Sequence, residues 1–248
     1  MSDGFFVAAL DDHVQLGSVV TLGGPEGRHA AVVRRIGLGE VVTVTNGEGR
    51  GVRGPVVAVR KDVLDIQVAE ILSAAAPTPR IVCVQALPKN ERAEQAVDLL
   101  TEIGVDEIVP WQASRSIVRW SGERGDKSLA RWQAVAREAA KQSRRLTVPV
   151  ITPLATTAQV AARLAAAPAA YVLHEGASVT VASVRPPRTE SVLVVGPEGG
   201  IAPEERAAFE AAGAREILIA DTVLRTVTAG AVAVAQLRLL ADLEGHAR

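Results

Sequence analysis

Five short apolar runs, at residues 81–86, 107–111, 170–174, 191–195 and 216–220, constrain this chain more than any other feature. Each has the length of a strand, and none alternates apolar with polar side chains. Strands that read this way are buried on both faces, the pattern of a parallel sheet covered by helices. Segments of helical periodicity lie between them. Ala93, Ala96, Val97, Leu100 and Ile103 recur at three- and four-residue spacing, and Gly104 follows as a C-terminal cap. Near the end, Ala229 to Leu243 is apolar around most of its circumference. Residues such as Val232, Val234, Leu237, Leu239 and Leu240 predict a helix buried in the core or against a second copy of the chain. Residues 80–248 are therefore expected to form an α/β domain.

The first 70 residues read differently. Val41-Val42-Thr43-Val44 and Val56-Val57-Ala58-Val59 are separated by glycine-rich turns, and Asn46-Gly47 is a hairpin signal because both residues tolerate positive φ. One short helix is predicted around His29 to Ile36. Short strands at close spacing predict a small β-barrel over residues 1–73. The stretch Ser73 to Pro79, with two prolines and a run of small residues, reads as a linker.

Composition narrows the class. With 48% apolar and 22% charged residues the chain can build a core and is not disordered. Aromatics, at 3%, are too few for an open platform that stacks unpaired bases. A single cysteine, Cys83, excludes an internal disulfide framework or a thiolate metal cluster, and points to a reducing cytoplasm with no metal. The N-terminus lacks the basic and apolar regions of a signal peptide, and no membrane-spanning run is expected. The net charge of −1 conceals an asymmetry. Between Arg115 and Arg145 nine Lys or Arg face only Glu123, Asp126 and Glu138, an excess of six, so the remainder carries −7. A face that binds a polyanion fits this distribution.

Three segments carry the chemistry. Val192 to Pro203 runs an apolar strand into the turn Gly196-Pro197-Glu198-Gly199-Gly200-Ile201 and then into a helix with Pro203 first and Glu204 and Glu205 in its opening turn. Parallel folds hold ligands in such loops, although a plain strand-to-helix connection looks the same. The turn itself matches neither the GxGxxG nor the P-loop pattern. Ile217 to Ala229 exposes Arg225 between a strand and the apolar helix, which Thr226 or Thr228 would cap; a solvated surface arginine is the alternative. Tyr171-Val172-Leu173 leads into His174-Glu175-Gly176, where the histidine reads first as a structural hydrogen-bonding group and only second as a catalyst.

Together these three segments resemble the cofactor-loop motifs of the RsmE family, the 16S rRNA (uracil N3) methyltransferases of the SPOUT superfamily. Similar stretches run through the chain: Ala86-Leu87-Pro88-Lys89, Thr101 to Pro110, Ser114-Arg115-Ser116, Arg131-Trp132, Glu138 to Arg145 and Val148-Pro149. His29 to Arg35 with Gly39-Glu40 looks like the family's PUA-like domain. The resemblance implies a PUA-like barrel that binds RNA over 1–73, and over 80–248 a SPOUT domain with a trefoil knot, S-adenosyl-L-methionine as cofactor and a homodimer. It implies cofactor contacts at Leu173, His174, Glu175, Val195, Gly196, Pro197, Gly199, Gly200, Ile219, Ala220, Val223, Leu224, Thr226 and Ala229. Arg225 would stabilise charge developing on the uracil oxygens, and Glu198 is the candidate proton acceptor, with a structural role capping its own turn as the alternative. Arg34, Arg35, Arg115, Arg119, Lys127, Arg131, Lys141, Arg144 and Arg145 are expected to contact phosphates of 16S rRNA or the small ribosomal subunit. Two departures stand out. Ala220-Asp221 replaces a common Leu-Gly, and Val227 replaces an acid, which excludes a catalytic carboxylate there. A related enzyme acting on tRNA, an RNA-binding relative with weak catalysis and a metabolic α/β enzyme are the alternatives.

Overall fold

A computed structural model describes residues 3–7, 10, 13–89 and 92–246. The chain divides into two compact units, one of residues 1–75 with 140–148 and the other of residues 76–139 with 149–248.

The first unit holds β1 (Asp3–Phe6), β2 (Val19–Leu22), α1 (Gly24–Arg28), β3 (Val41–Thr45), β4 (Arg50–Arg60), β5 (Val63–Gln67) and β6 (Glu70–Ser73). They form one sheet in the order β1-β3-β4-β5-β2, with β6 also on β4. Here the burial alternates, and Phe5, Val44, Val52, Leu64 and Ile66 form the inward core. The β3–β4 hairpin turns at Asn46, whose Oδ1 accepts from the N–H of Glu48 (2.8 Å) and Arg50 (3.1 Å), with Gly47 at φ +79°. The helix expected at 29–36 starts earlier. Pro25 opens α1, and a wider helical turn over His29–Val33 continues it.

Residues 140–148 belong to this unit and not, as expected, to the domain beginning at residue 80. The reason is a set of non-local hydrogen bonds. Val148 N–H donates to Gly47 O (2.8 Å), Gly49 N–H to Leu146 O (2.9 Å), and Thr45 Oγ1 to Leu146 O (3.1 Å). Gly51 makes room for Leu146: a Cβ there would lie 2.9 Å from its Cδ2.

The second unit holds a six-stranded, wholly parallel sheet ordered β12-β10-β11-β7-β8-β9. Its strands are β7 (Arg80–Ala86), β8 (Glu107–Trp111), β9 (Val150–Ile151), β10 (Ala170–Leu173), β11 (Glu190–Val195) and β12 (Arg215–Ile217). β7, β8 and β11 are buried almost end to end, which is why their sequences do not alternate. The strand expected at 216–220 stops at Ile217, because Leu218 instead pairs with Val179 and Val181 (2.8 Å each). The helices are α2 (Arg92–Glu102), α3 (Gly122–Gln142), α4 (Thr157–Ala166), α5 (Pro203–Ala211) and α6 (Thr226–His246).

Over Thr226–Leu243, α6 is long and apolar enough to cross a membrane by length and composition, against expectation. Its placement is that of a core helix. Val234 and Leu237 are fully buried, Gly230 lets it approach Leu100, Val195 and Cys83, and Arg238 reaches Asp106 (2.9 Å) and the Gly104 carbonyl.

Candidate active site

Parallel pairing aligns the carboxyl ends of β10, β11 and β12, so the loops that leave them meet on one side of the sheet. After β10, His174 N–H donates to Ile217 O (3.2 Å), and the His174 Nδ1 accepts from the Gly176 N–H (3.0 Å). After β11, the turn closes with Gly200 at φ +72° and its N–H on Pro197 O (2.9 Å). A Cβ at Gly196 would lie 2.7 Å from Ile201 Cγ1, so only glycine allows the turn to fold this tightly. After β12, Gln236 Nε2 from α6 donates to Ile219 O (3.0 Å) and holds the third loop.

These loops enclose a cavity of about 340 Å³. Thirteen of the fourteen expected cofactor residues line it: Leu173, His174, Glu175, Val195, Gly196, Pro197, Gly200, Ile219, Ala220, Val223, Leu224, Thr226 and Ala229, and Arg225 and Glu198 line it as well. Gly199 does not. It faces outward against Arg115, whose Cβ is 3.4 Å from where a Gly199 Cβ would stand and whose guanidinium donates to Gly199 O (3.2 Å). The cavity wall also includes Arg92, Ile201, Ile217, Leu218, Thr222 and Val227, which the sequence did not single out as ligands. Of these only Arg92 carries charge. Its nearness to Lys89 in the sequence was the one available signal.

The charge around the cavity is uneven. Arg225 immediately precedes α6, and its carbonyl accepts from the N–H of Thr228 and Ala229 (2.9 Å each). Thr228 Oγ1 also donates to that carbonyl (3.2 Å), so neither threonine caps the helix as expected. Thr226, Val227 and Ala229 therefore present the positive end of α6 to the cavity, beside a guanidinium that makes no hydrogen bond or ion pair among the described residues. Glu198 is committed elsewhere. Its Oε1 accepts from the Lys89 N–H (3.2 Å) and lies 3.9 Å from Arg92. Buried Val227 removes any carboxylate from the start of α6.

A buried carboxylate braces this region from behind. Glu205 of α5 accepts from Ser114 N–H (2.8 Å), Ser114 Oγ (3.1 Å), Thr157 Oγ1 (3.0 Å) and Ala202 N–H (3.2 Å). It fixes the end of the glycine turn to the loop that carries Arg115.

The expected phosphate-binding residues fall into two groups. Arg34, Arg35, Lys141, Arg144 and Arg145 belong to the first unit; Arg115, Arg119, Lys127 and Arg131 belong to the second. Lys141 departs from expectation: its side chain is only 9% exposed and pairs with Glu26 at 3.0 Å. Lys127 pairs with Glu123, Arg131 with Glu94, and Arg119 donates to Ser114 O, all while exposed to solvent.

Residues 75–238 match the RNA methyltransferase domain family. The chain is 43% identical over 241 residues to the ribosomal RNA small subunit methyltransferase E of Mycobacterium bovis, spanning 95% of this chain and 91% of that one. It is 24% identical to the enzyme of the same name from Bacillus subtilis, over 96% and 97% of the two chains. Its fold is similar to the crystal structure of a ribosomal RNA small subunit methyltransferase E from Neisseria gonorrhoeae bound to S-adenosyl methionine. That likeness has a TM-score of 0.83 and 25% identity over 97% of this chain and 98% of the other.

Proposed function

We infer the reaction from the premise that this chain belongs to the ribosomal RNA small subunit methyltransferase E family: it transfers a methyl group from S-adenosyl-L-methionine to N3 of a uridine in 16S ribosomal RNA. The observation that carries the reading is the meeting of the three loops after β10, β11 and β12 around one cavity, with Arg225 and the start of α6 at its edge.

The cavity fits the cofactor. Its volume is within the range of small-molecule sites, ~300–1,000 Å³, and aliphatic walls from Leu173, Val195, Ile217, Ile219 and Leu224 suit the faces of an adenine. Backbone groups of the Gly196–Ile201 turn would hold its edges and the ribose. When bound, the cofactor supplies an electrophilic methyl group on a sulfonium; everything else falls to the chain. Uracil N3 is a proton-bearing imide nitrogen and becomes nucleophilic as that proton leaves. Arg225 stabilises the charge that then spreads onto the carbonyl oxygens, and the positive end of α6 adds to it. The Lys89 and Arg92 contacts of Glu198 suit a residue that positions the turn.

The finer architecture belongs to the same proposal. The six-stranded sheet of the first unit closes as a PUA-like barrel, and the chain end carrying α6 threads a trefoil knot. The return of α6 from edge strand β12 to pack on β7, β11 and α2 supports the knot. Arg34, Arg35, Arg115, Arg119, Lys127, Arg131, Arg144 and Arg145 meet phosphates, and the protein works in the cytoplasm as a homodimer. Exposed Val223, Leu239 and Leu243 supply an apolar face for the dimer contact. A monomer in analytical ultracentrifugation at micromolar concentration refutes that part.

The test of the main reading is methyl transfer from labelled cofactor to small ribosomal subunits from cells lacking the protein, followed by nucleoside mass mapping. One 3-methyluridine in 16S rRNA is expected. Transfer to tRNA alone, or to a ribose hydroxyl, overturns it.

A further inference from the structure

We propose that Glu175 is the general base of the reaction, the carboxylate that takes the N3 proton of the target uridine. The inference rests on the N3-methyltransferase reading and deepens it by naming the proton acceptor. An acceptor needs an open lone pair within hydrogen-bond reach of the reacting nitrogen. Three side chains able to take up a proton line the cavity: Glu175, Glu198 and His174. Two of them are engaged. Glu198 accepts from the Lys89 N–H (3.2 Å) and lies 3.9 Å from Arg92. His174 accepts from the Gly176 N–H (3.0 Å) at Nδ1, which leaves a donor at Nε2 of the neutral ring. Glu175 makes no hydrogen bond or ion pair among the described residues, so both of its oxygens are open. Asp221, beside Ala220 on the third loop, is not part of the cavity wall.

The first loop is fixed on both sides of Glu175. His174 N–H donates to Ile217 O (3.2 Å), and Ala177 N–H donates to His174 O (3.2 Å), which closes a four-residue turn with Glu175 and Gly176 at its tip. Glycine suits that tip, since a Cβ at Gly176 would lie 3.1 Å from His174 Cε1. A carboxylate on so short a turn keeps its place, as a base must. Leu173 of β10 pairs with Ile217 of β12, so this turn neighbours the loop that leads to Arg225. Base and anion-stabilising guanidinium thus come from adjacent loops of one cavity.

The charges about Glu175 are mixed, and none fills its oxygens. Arg206 of α5 feels it from beyond ion-pair distance and is itself held by Glu216 of β12, with Glu210 near the same guanidinium. His174 precedes it on the loop, and Arg92, Glu198 and Arg225 face the same cavity. In the step, Glu175 keeps the N3 proton as N3 forms its bond to the methyl carbon. The carbon–sulfur bond breaks with its electron pair on sulfur, and S-adenosylhomocysteine leaves as a neutral thioether. The positive sulfonium and the negative carboxylate cancel in the exchange. Glu175 is exposed, so its proton then passes to water.

Glu175→Gln in the full-length protein tests this, with small subunits from cells lacking the protein as substrate. The side chain is exposed and makes no hydrogen bond, so the variant should melt as the unaltered protein does. Its single-turnover rate should fall about a hundredfold, the lower end of what a positioned base contributes. The acid-side inflection of the pH–rate profile should disappear, and the residual rate should climb with pH as hydroxide takes over. Glu175→Asp should keep the inflection at a reduced rate. Affinity for S-adenosylmethionine, measured by calorimetry, should be unchanged in both variants. Lost affinity with a surviving rate at saturating cofactor makes Glu175 a cofactor ligand and overturns the assignment. A slower glutamine variant that retains the inflection overturns it too, since the proton is then taken elsewhere. An unchanged rate does the same and leaves N3 methylation intact. If the unaltered protein forms no 3-methyluridine, the reading of the reaction fails, and the base assignment with it.

Discussion

Replacing Glu205 tests whether the cavity is braced from behind as the geometry indicates. The residue is 6% exposed, and its carboxylate accepts four hydrogen bonds from Ser114, Thr157 and Ala202. Glu205→Ala strands two backbone N–H groups, those of Ser114 and Ala202, which cannot turn away as the hydroxyls can. A buried donor left without a partner costs about 1–3 kcal/mol, and water can reach the N–H of exposed Ser114, so the loss should be ~2–4 kcal/mol once the helix-start contribution is included. Glu205→Gln keeps the shape and one carbonyl acceptor but turns an NH₂ toward donors, for a smaller loss of ~1–2 kcal/mol. The assay is denaturant unfolding followed by tryptophan fluorescence. Trp111, Trp120 and Trp132 all belong to the second unit, so the signal reports that unit alone. Trp111 Nε1 donates to Thr157 Oγ1 (3.2 Å), which places a reporter one bond from the perturbation. A loss under 1 kcal/mol for the alanine variant, or a glutamine variant worse than alanine, refutes the brace.

Arg225→Ala should lower the single-turnover methylation rate about a hundredfold, as for loss of one oxyanion donor, with cofactor affinity little changed; collapse of affinity with a surviving rate would make it a cofactor ligand instead. Glu198→Gln should weaken cofactor binding through the glycine turn and leave the shape of the pH–rate profile unaltered, whereas loss of an inflection from that profile would identify Glu198 as the proton acceptor. Arg206 pairs with Glu216 through contacts of 2.5 and 2.7 Å, and its guanidinium holds the Glu216 carboxyl below the usual carboxylate range. A lowered folded-state value means stability present above the unfolded carboxylate pKa, near 4.3, and lost as pH falls through the folded one. Glu216→Gln should therefore destabilise the protein modestly at pH 7 in thermal unfolding, with the difference vanishing in strong acid; a difference independent of pH contradicts the ion pair.

The sheet of the second unit was legible because burial on both faces leaves a direct trace, an unbroken apolar run, and β7, β8 and β11 carry it. Two-residue β9 leaves no such trace. The 218–220 segment reads as strand but turns aside to pair with the chain near Thr180, a partner that local pattern cannot reveal. The same limit hid the membership of 140–148 in the first unit, since its hydrogen bonds reach back about a hundred residues to the Asn46 turn. Lys141 looked like the other cations of a basic run. Only the fold brings Glu26 to it. Site residues were legible for a different reason. A ligand cavity built from turns needs glycine where backbone must close tightly, and Gly196 and Gly200 mark those places in the sequence as plainly as in the structure.

The distribution of charge around the cavity bears on how a proton leaves the target nitrogen. A general base must offer an open acceptor within hydrogen-bond reach of the proton it takes. Glu198 spends an oxygen on the Lys89 amide and lies 3.9 Å from Arg92, which draws it toward the β7–α2 side. Val227 gives nothing to accept a proton. His174 uses Nδ1 on the Gly176 amide, which leaves its neutral ring with a donor, not an acceptor, at Nε2. What faces the cavity without a hydrogen bond or ion pair among the described residues is the Arg225 guanidinium beside the first turn of α6 and, from the first loop, the Glu175 carboxylate. The positive groups would make a uracil anion more stable and N3 more acidic. Stabilisation of that anion by field is thus the role we propose for Arg225, with Glu175 the lining carboxylate left open to accept a proton.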